Sequence, residues 1–365
     1  MILVRVMPDK FPSVVFVALC FVWGSTWLAI KVGLDFLPPF LFASMRFAVA
    51  SIFLGFLVPL LRAHIPRDGP SWGVMFFLGI SQVTLVFGLV FWGEQYISSG
   101  LTAVLSATLP LFVVVFSHML IRAEPITRRK AVGAIVAFTG VALVFWRDLA
   151  SPQGSVIQFS LLGSLAIVGS AASGAAGNVV AKKYASGIDP SANALIQSVI
   201  GAVTLSMASI VSERGSVPEL APSVIAAVLY LGVVGSALAF VGWYWLLTKA
   251  TATNSSLIFF VTPIVALVLG WLMLQEQIEP IVALGTLLIL SGVYVTVKQG
   301  DYLLSYSEGR ENEDLCDGDV APVRKSRKEP ARQTGPAAPT EQLAVVENFL
   351  VLVLRTKTHR GPLAC

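Results

Sequence analysis

Charge is the scarce ingredient of this chain. Of its 365 residues, 13% are Asp, Glu, Lys or Arg, about half the roughly 25% of soluble domains. That shortage excludes a soluble globular enzyme, a disordered scaffold and a nucleic-acid binder. Cysteine is nearly absent: Cys20 sits in an apolar run, and Cys316 and Cys365 near the C-terminus. No disulfide framework or metal site is suggested. The histidines are His64, His118 and His359, with no H-E-x-x-H, paired intramembrane aspartates or Ser–His pairing, which argues against an intramembrane enzyme. No G-x-x-x-x-G-K loop occurs, so this chain alone cannot drive transport with ATP. No cofactor is implied. No Asp or Glu lies near the middle of any apolar run, where proton and sodium carriers commonly keep one.

What is abundant is hydrocarbon. Apolar residues make up 56% and the mean hydropathy is +0.79. Crossing a core of roughly 30 Å takes about 20 mostly apolar residues. Ten such runs fit, near 12–32, 40–61, 71–93, 98–121, 129–146, 158–181, 191–211, 222–247, 253–274 and 281–298. The first carries Trp23 and Trp27 and lacks a small-x-small cleavage site, so it reads as a span rather than a signal peptide. Short breaks such as Leu37-Pro38-Pro39, Arg67-Asp68-Gly69-Pro70 and Asp189-Pro190 leave no room for a soluble domain. The expected fold is an all-α membrane protein of ten transmembrane helices, whose first partner is the bilayer. A homodimer is compatible with it.

The net charge of +4 is sorted by position. With the N-terminus in the cytoplasm, inner segments hold 12 Lys/Arg, including Arg62, Arg128, Arg129, Lys130, Lys182 and Lys183. Outer loops hold 3: Lys31, Arg147 and Arg214. This positive-inside bias places both termini in the cytoplasm of a cell (inner or plasma) membrane protein. Residues 301–365 are acidic, then basic, then Pro/Ala-rich, and read as a disordered cytoplasmic tail.

The two halves, 1–150 and 151–300, resemble each other at an offset near 152. Glu124, Ala131, Gly133, Gly140 and Val141 match Glu276, Ala283, Gly285, Gly292 and Val293, and Pro110 aligns with Pro263. An odd number of spans per repeat forces the second copy to enter from the opposite side. Two inverted five-helix repeats follow, the architecture of secondary transporters. Both Glu124 and Glu276 read as caps on the helix that follows each of them.

The run Trp23-Gly24-Ser25-Thr26 followed by Lys31 resembles the opening of the EamA-type transporters of the drug/metabolite transporter superfamily. So does each proline-bearing fourth helix followed by an acid and two spaced glycines (Glu124/Gly133/Gly140 and Glu276/Gly285/Gly292). The resemblance covers roughly 12–298 and implies ten helices, two repeats and a central cavity lined by spans 1, 3, 4, 6, 8 and 9. The second half opens differently, with Ser173-Gly174-Ala175-Ala176-Gly177-Asn178, so the two cavity walls differ chemically. The implied function is export of small metabolites or amphipathic compounds by alternating access. A channel or membrane sensor is the alternative.

Polar and aromatic residues inside spans supply the candidate cavity: Trp23, Thr26, Gln82, Trp92, Asn178, Trp243 and Tyr244. Rings and amides together suit a small amphipathic solute. An interfacial aromatic belt competes as the role of Trp92 and Trp243, and an interhelical hydrogen bond as that of Gln82. Arg46 and Glu94 are gate or charge candidates. Arg46, about 9 Å deep at 1.5 Å per residue, has three readings: snorkelling outward, pairing with Asp35 or Glu94, or binding a substrate carboxylate. Glu94, beside Gln95 and Tyr96, reads as a solvated turn or a proton-linked group. Pro110 and Pro263 are hinge candidates. Removing residues 301–365 is expected to leave flux through the body unchanged; a measured loss would give the tail a regulatory role.

Overall fold

The computed structural model describes residues 11–120, 127–150, 154–185, 187–215, 218–249, 258–277 and 279–296. The 301–365 tail and Glu124 lie outside them. Every element among the described residues is helical, as hydrocarbon demands, because a helix satisfies its backbone groups within one segment. We number the helices α1 Phe11–Leu34, α2 Pro39–Leu60, α3 Gly69–Gly93, α4 Ser99–Leu120 and α5 Arg128–Ala150. Then follow α6 Gly154–Tyr184, α7 Pro190–Ser212, α8 from Pro222 to Lys249, α9 Ile258–Leu274 and α10 Pro280–Thr296. Eight helices, α1 to α8, are long and apolar enough to cross a membrane. The described part of α9 is 17 residues, a rise of roughly 25 Å, and residues adjoining α9 and α10 lie outside the described ones.

Helix starts follow local chemistry. Asp68 accepts the amide of Ser71 at 2.8 Å, and Asp189 accepts those of Ser191 and Ala192. Each is followed within two residues by a proline that needs no N–H partner in a first turn.

The interfaces between helices come in exchanged pairs. α1 packs on α9 and α8, and α6 packs on α4 and α3. α2 packs on the middle of α8, and α7 on the middle of α3. The longest interface joins α2 to α7, and the first turns of α4 lie against α9. Swapping each helix for the one five places away turns α1–α9 into α6–α4, α1–α8 into α6–α3 and α2–α8 into α7–α3, and returns the α2–α7 and α4–α9 pairs to themselves.

Glycines carry the same exchange into α5 and α10. A Cβ at Gly140 would stand 2.6 Å from the Gly285 carbonyl oxygen, and one at Gly133 would stand 2.6 Å from that of Gly292. A Cβ at Gly292 would collide with the Gly133 oxygen and the Ala137 amide. The lower number on one helix meets the higher on the other, so the two cross antiparallel, backbone on backbone. Small residues permit that approach where apolar burial gives no driving force between helices.

Two wide turns repeat as well. α3 is π-helical over Gly79–Leu85 and α8 over Tyr230–Leu238. A π turn leaves carbonyls imperfectly paired, and one hydroxyl in each answers the one five residues back. Thr84 Oγ1 donates to Gly79 O at 3.3 Å, and Ser236 Oγ to Leu231 O at 2.9 Å. Ser236 lies 152 residues after Thr84, and Leu231 lies 152 after Gly79. Such turns favour functional positions.

Gly292→Val should force the α5–α10 backbones apart, costing about 1–3 kcal/mol as overpacking does and lowering the melting temperature in detergent. Gly55→Ala, with nothing within 4 Å of the new carbon, should leave melting unchanged or slightly raised. Equal melting of both variants would remove the glycine seam from the account.

Candidate functional site: a central cavity with one buried guanidinium

The helices enclose a central cavity of about 290 Å³. α1 contributes Trp23, Thr26, Trp27 and Ile30, which share one face at helical spacing. Facing them, α6 contributes Ser170, Ala171, Gly174 and Asn178. The π stretch of α3 and the turn after it bring in Gln82, Val86 and Phe87. α4, α8 and α9 close the sides with Ser106, Phe240 and Pro263. A seventh helix, α2, reaches in through Arg46.

The candidates separate into groups. Trp23, Thr26, Gln82 and Asn178 line the cavity. Gln82 makes no hydrogen bond to the described protein; the interhelical bond considered for it is absent there. Gly177 leaves room for the Gln82 side chain, where an added Cβ would collide. Trp92 lies elsewhere, in an outer pocket, its ring edge-on to Tyr96 at 5.2 Å. Trp243 stands behind the wall, tilted against Trp23 at 5.5 Å. The Tyr244 side chain lies outside the described residues.

Arg46 does not snorkel. It is 4% exposed because it shares the inward face of α2 with Phe42, Ala43 and Ala50. Its Nε donates to Ser236 Oγ at 3.1 Å, on the π stretch of α8. The guanidinium lies 4.6 Å from the Phe87 ring centroid and 5.4 Å from that of Phe47, where ring quadrupoles favour a cation.

Glu94 is no solvated turn. It is the C-cap of α3, wholly buried, and neither carboxyl oxygen has a hydrogen-bond partner. Burial pushes its carboxyl well above the ordinary range, against the pull of Lys31. The Lys31 ammonium is held by backbone carbonyls, of Glu94 and Ile97 at 2.7 Å each. It thereby answers the open C-terminal end of α3.

Two other carboxylates tie the halves together at this end. Glu276 accepts the Ser99 amide at 2.8 Å, the Ser99 hydroxyl at 3.0 Å and the Gly100 amide at 3.3 Å. It caps α4, not the helix that follows it, because the distant α4 terminus offers open N–H groups. Glu213 likewise accepts the amides of Phe40 and Leu41 at 2.7 and 3.0 Å, capping α2.

The prolines differ. Pro263 sits inside α9 and lines the cavity. Pro110 does not kink an unbroken helix. Regular helix stops at Ser106 and resumes at Leu109, so Pro110 occupies the first turn of the second piece. In an unbroken helix the ring would clash with the carbonyl four residues earlier, that of Ser106. Sequence reasoning missed Ser106 and Trp27 as site residues. Both Ser106 Oγ and Trp27 Nε1 are buried without a partner while their residues line the cavity. The four-residue spacings from Pro110 and from Trp23 were their only signals.

Apolar helices around a cavity set with unpartnered polar groups define a multi-pass membrane transporter. The chain matches the EamA-like transporter family over residues 11–146 and again over 161–298, and it belongs to that family. It is similar to the uncharacterized transporter YoaV of Bacillus subtilis, 28% identical over 279 residues, spanning 76% of this chain and 94% of that one. An uncharacterized transporter of Archaeoglobus fulgidus is 30% identical over 277 residues, spanning 76% and 95%. A crystal structure at 18% identity superposes with a TM-score of 0.55, covering 79% of this chain and 98% of the other, which shows a shared fold. The family and these relatives indicate transport, not enzymatic chemistry.

Glu276→Gln should cost about 0.5–2 kcal/mol, the range for a lost N-terminal cap, read as a lower melting temperature. Glu94→Gln should change stability with pH. A carboxyl whose folded pKa is raised binds its proton more tightly when folded. Its ionisation therefore destabilises the fold as pH rises above the unfolded value of about 4.3. The melting temperature of Glu94→Gln relative to the unaltered protein should climb between about pH 5 and pH 8. A flat difference would contradict the burial argument.

Proposed function

We propose that this protein is a secondary carrier, exporting small metabolites or amphipathic compounds by alternating access. Its ten spans form two inverted five-helix repeats, residues 1–150 and 151–300, with both termini in the cytoplasm. The observation that carries the reading is the antiparallel crossing of Gly133 on Gly292 and Gly140 on Gly285. Residue i of one copy meets the counterpart of j, and j meets the counterpart of i. That is how surfaces related by a two-fold axis touch. The double family match supports the same duplication.

An axis in the membrane plane makes the two ends of the cavity exchangeable. Ties at one end support an outward-closed state: Lys31 holds α1 to the end of α3, Glu213 holds α2, and Glu276 holds α4. At the other end Asn178 lines the cavity yet is exposed. The excess of Lys and Arg there puts that opening in the cytoplasm. Proton coupling, if it operates, rests on Glu94, the buried carboxyl beside Lys31.

A sensitivity screen of cells with and without the gene supplies candidate solutes, and proteoliposomes then test the mechanism. A carrier gives saturable uptake and accelerated exchange against internal solute. Trp27→Ala and Gln82→Ala should each lower exchange about tenfold, the effect of roughly 1.4 kcal/mol. Flux that does not saturate, without counterflow, would assign a channel; no flux for any solute that alters growth would favour a sensor.

A further inference from the structure

Resting on the carrier reading, the charge balance of the cavity narrows the cargo. A guanidinium remains protonated in proteins and presents five N–H donors. One of those on Arg46, Nε–H, goes to Ser236. The remaining four, on the two Nη atoms, have no hydrogen-bond acceptor among the described residues, and no carboxylate lies within ion-pairing distance. Yet the side chain is 4% exposed and lines the cavity. Neither nearby acid contacts it. The carboxylate of Glu276 is taken up by Ser99 and Gly100. The carboxyl of Glu94 makes no hydrogen bond to Arg46 and acts on it only through space. Tyr230, the other group that Arg46 feels, binds Ser25 and the Val22 carbonyl. A buried cation facing a mostly apolar cavity without a contacting counterion is costly unless an occupant supplies the opposite charge.

We propose that the cargo is an organic anion, a monocarboxylate with one aromatic or compact apolar body. Its acid group accepts from the Nη donors of Arg46, as planar guanidinium and carboxylate groups match. The body lies against Trp23, Trp27 and Phe240. Trp27 Nε1 and Ser106 Oγ, both buried and unpartnered, supply donors for a second polar group. The cavity of about 290 Å³ sits at the small end of the usual range for ligand sites, which favours a body of one ring. The same guanidinium locks α2 to the π stretch of α8, so an anion drawn toward it pulls on the seam between the halves.

The test uses the full chain in detergent and three matched probe pairs: benzoate, phenylacetate and 3-phenylpropionate, each beside its neutral amide. At least one acid should raise the melting temperature while its amide does not. Arg46→Gln should weaken the acid's effect about tenfold or more, the size of a lost charged hydrogen bond. Arg46→Lys should keep part of it, and Ser236→Ala, which leaves the charge in place, should lose less than Arg46→Gln. Acids and amides acting alike, no acid acting, or Arg46→Gln binding as well as the unaltered protein would each overturn the proposal. The comparison of acid with amide in the unaltered protein stands even if Arg46→Gln fails to fold. Saturable exchange of neutral or cationic solutes alone would keep the carrier and discard the anion; acid binding without exchange of any solute would do the reverse.

Discussion

Inside hydrocarbon no water is available to pair a polar group, so the protein must supply every partner itself. Most features of this chain follow from that constraint. The backbone is helical throughout the described residues. Where α3 and α8 widen into π turns, Thr84 and Ser236 repay the disturbed carbonyls. Where helices end near one another, carboxylates and an ammonium from distant segments close the termini. What remains unpaired is informative: several of the exceptions gather around one cavity.

The same constraint explains how a carrier could move without unfolding. Backbone pairing stays within each helix, so helices can shift as rigid bodies. The ties that close helix ends, from Lys31, Glu213 and Glu276, gather at one end, and Lys183 joins α6 to the Leu120 carbonyl at the other. At the α5–α10 seam glycine meets backbone, with Val144 and Ile289 packed beside it, and the α2–α8 contact adds one guanidinium–hydroxyl bond to its side-chain packing.

Much of this was legible from residue order. Apolar runs located the helices, and the glycines that match between the halves in sequence mark a repeat, without a sign that they would meet across the α5–α10 seam. Trp23 and Thr26 belonged to a motif, and they face the cavity. The errors share one cause. Depth along a helix told how far Arg46 lies from water but not which side it faces; its neighbours Phe42 and Ala50 decide that. Glu94 follows a helix and precedes a turn, a local pattern that usually means exposure, yet Lys31 and the loop above enclose it. The partners of Glu276 and Glu213 are more than 170 residues away in sequence. The π turns had no sequence signal at all, because the disturbance is a matter of hydrogen-bond register.

The central claim is that one cavity opens to each side in turn. Spin labels can report it on a background without Cys20, Cys316 and Cys365. One pair would span the outer mouth, at Gln95 and Arg214; the other would span the inner mouth, at Arg62 and Lys182, all four exposed positions. Pulsed distance measurements in lipid should find two populations, the outer distance lengthening as the inner one shortens. Two single distances that never change, or two that lengthen together, would contradict alternating access.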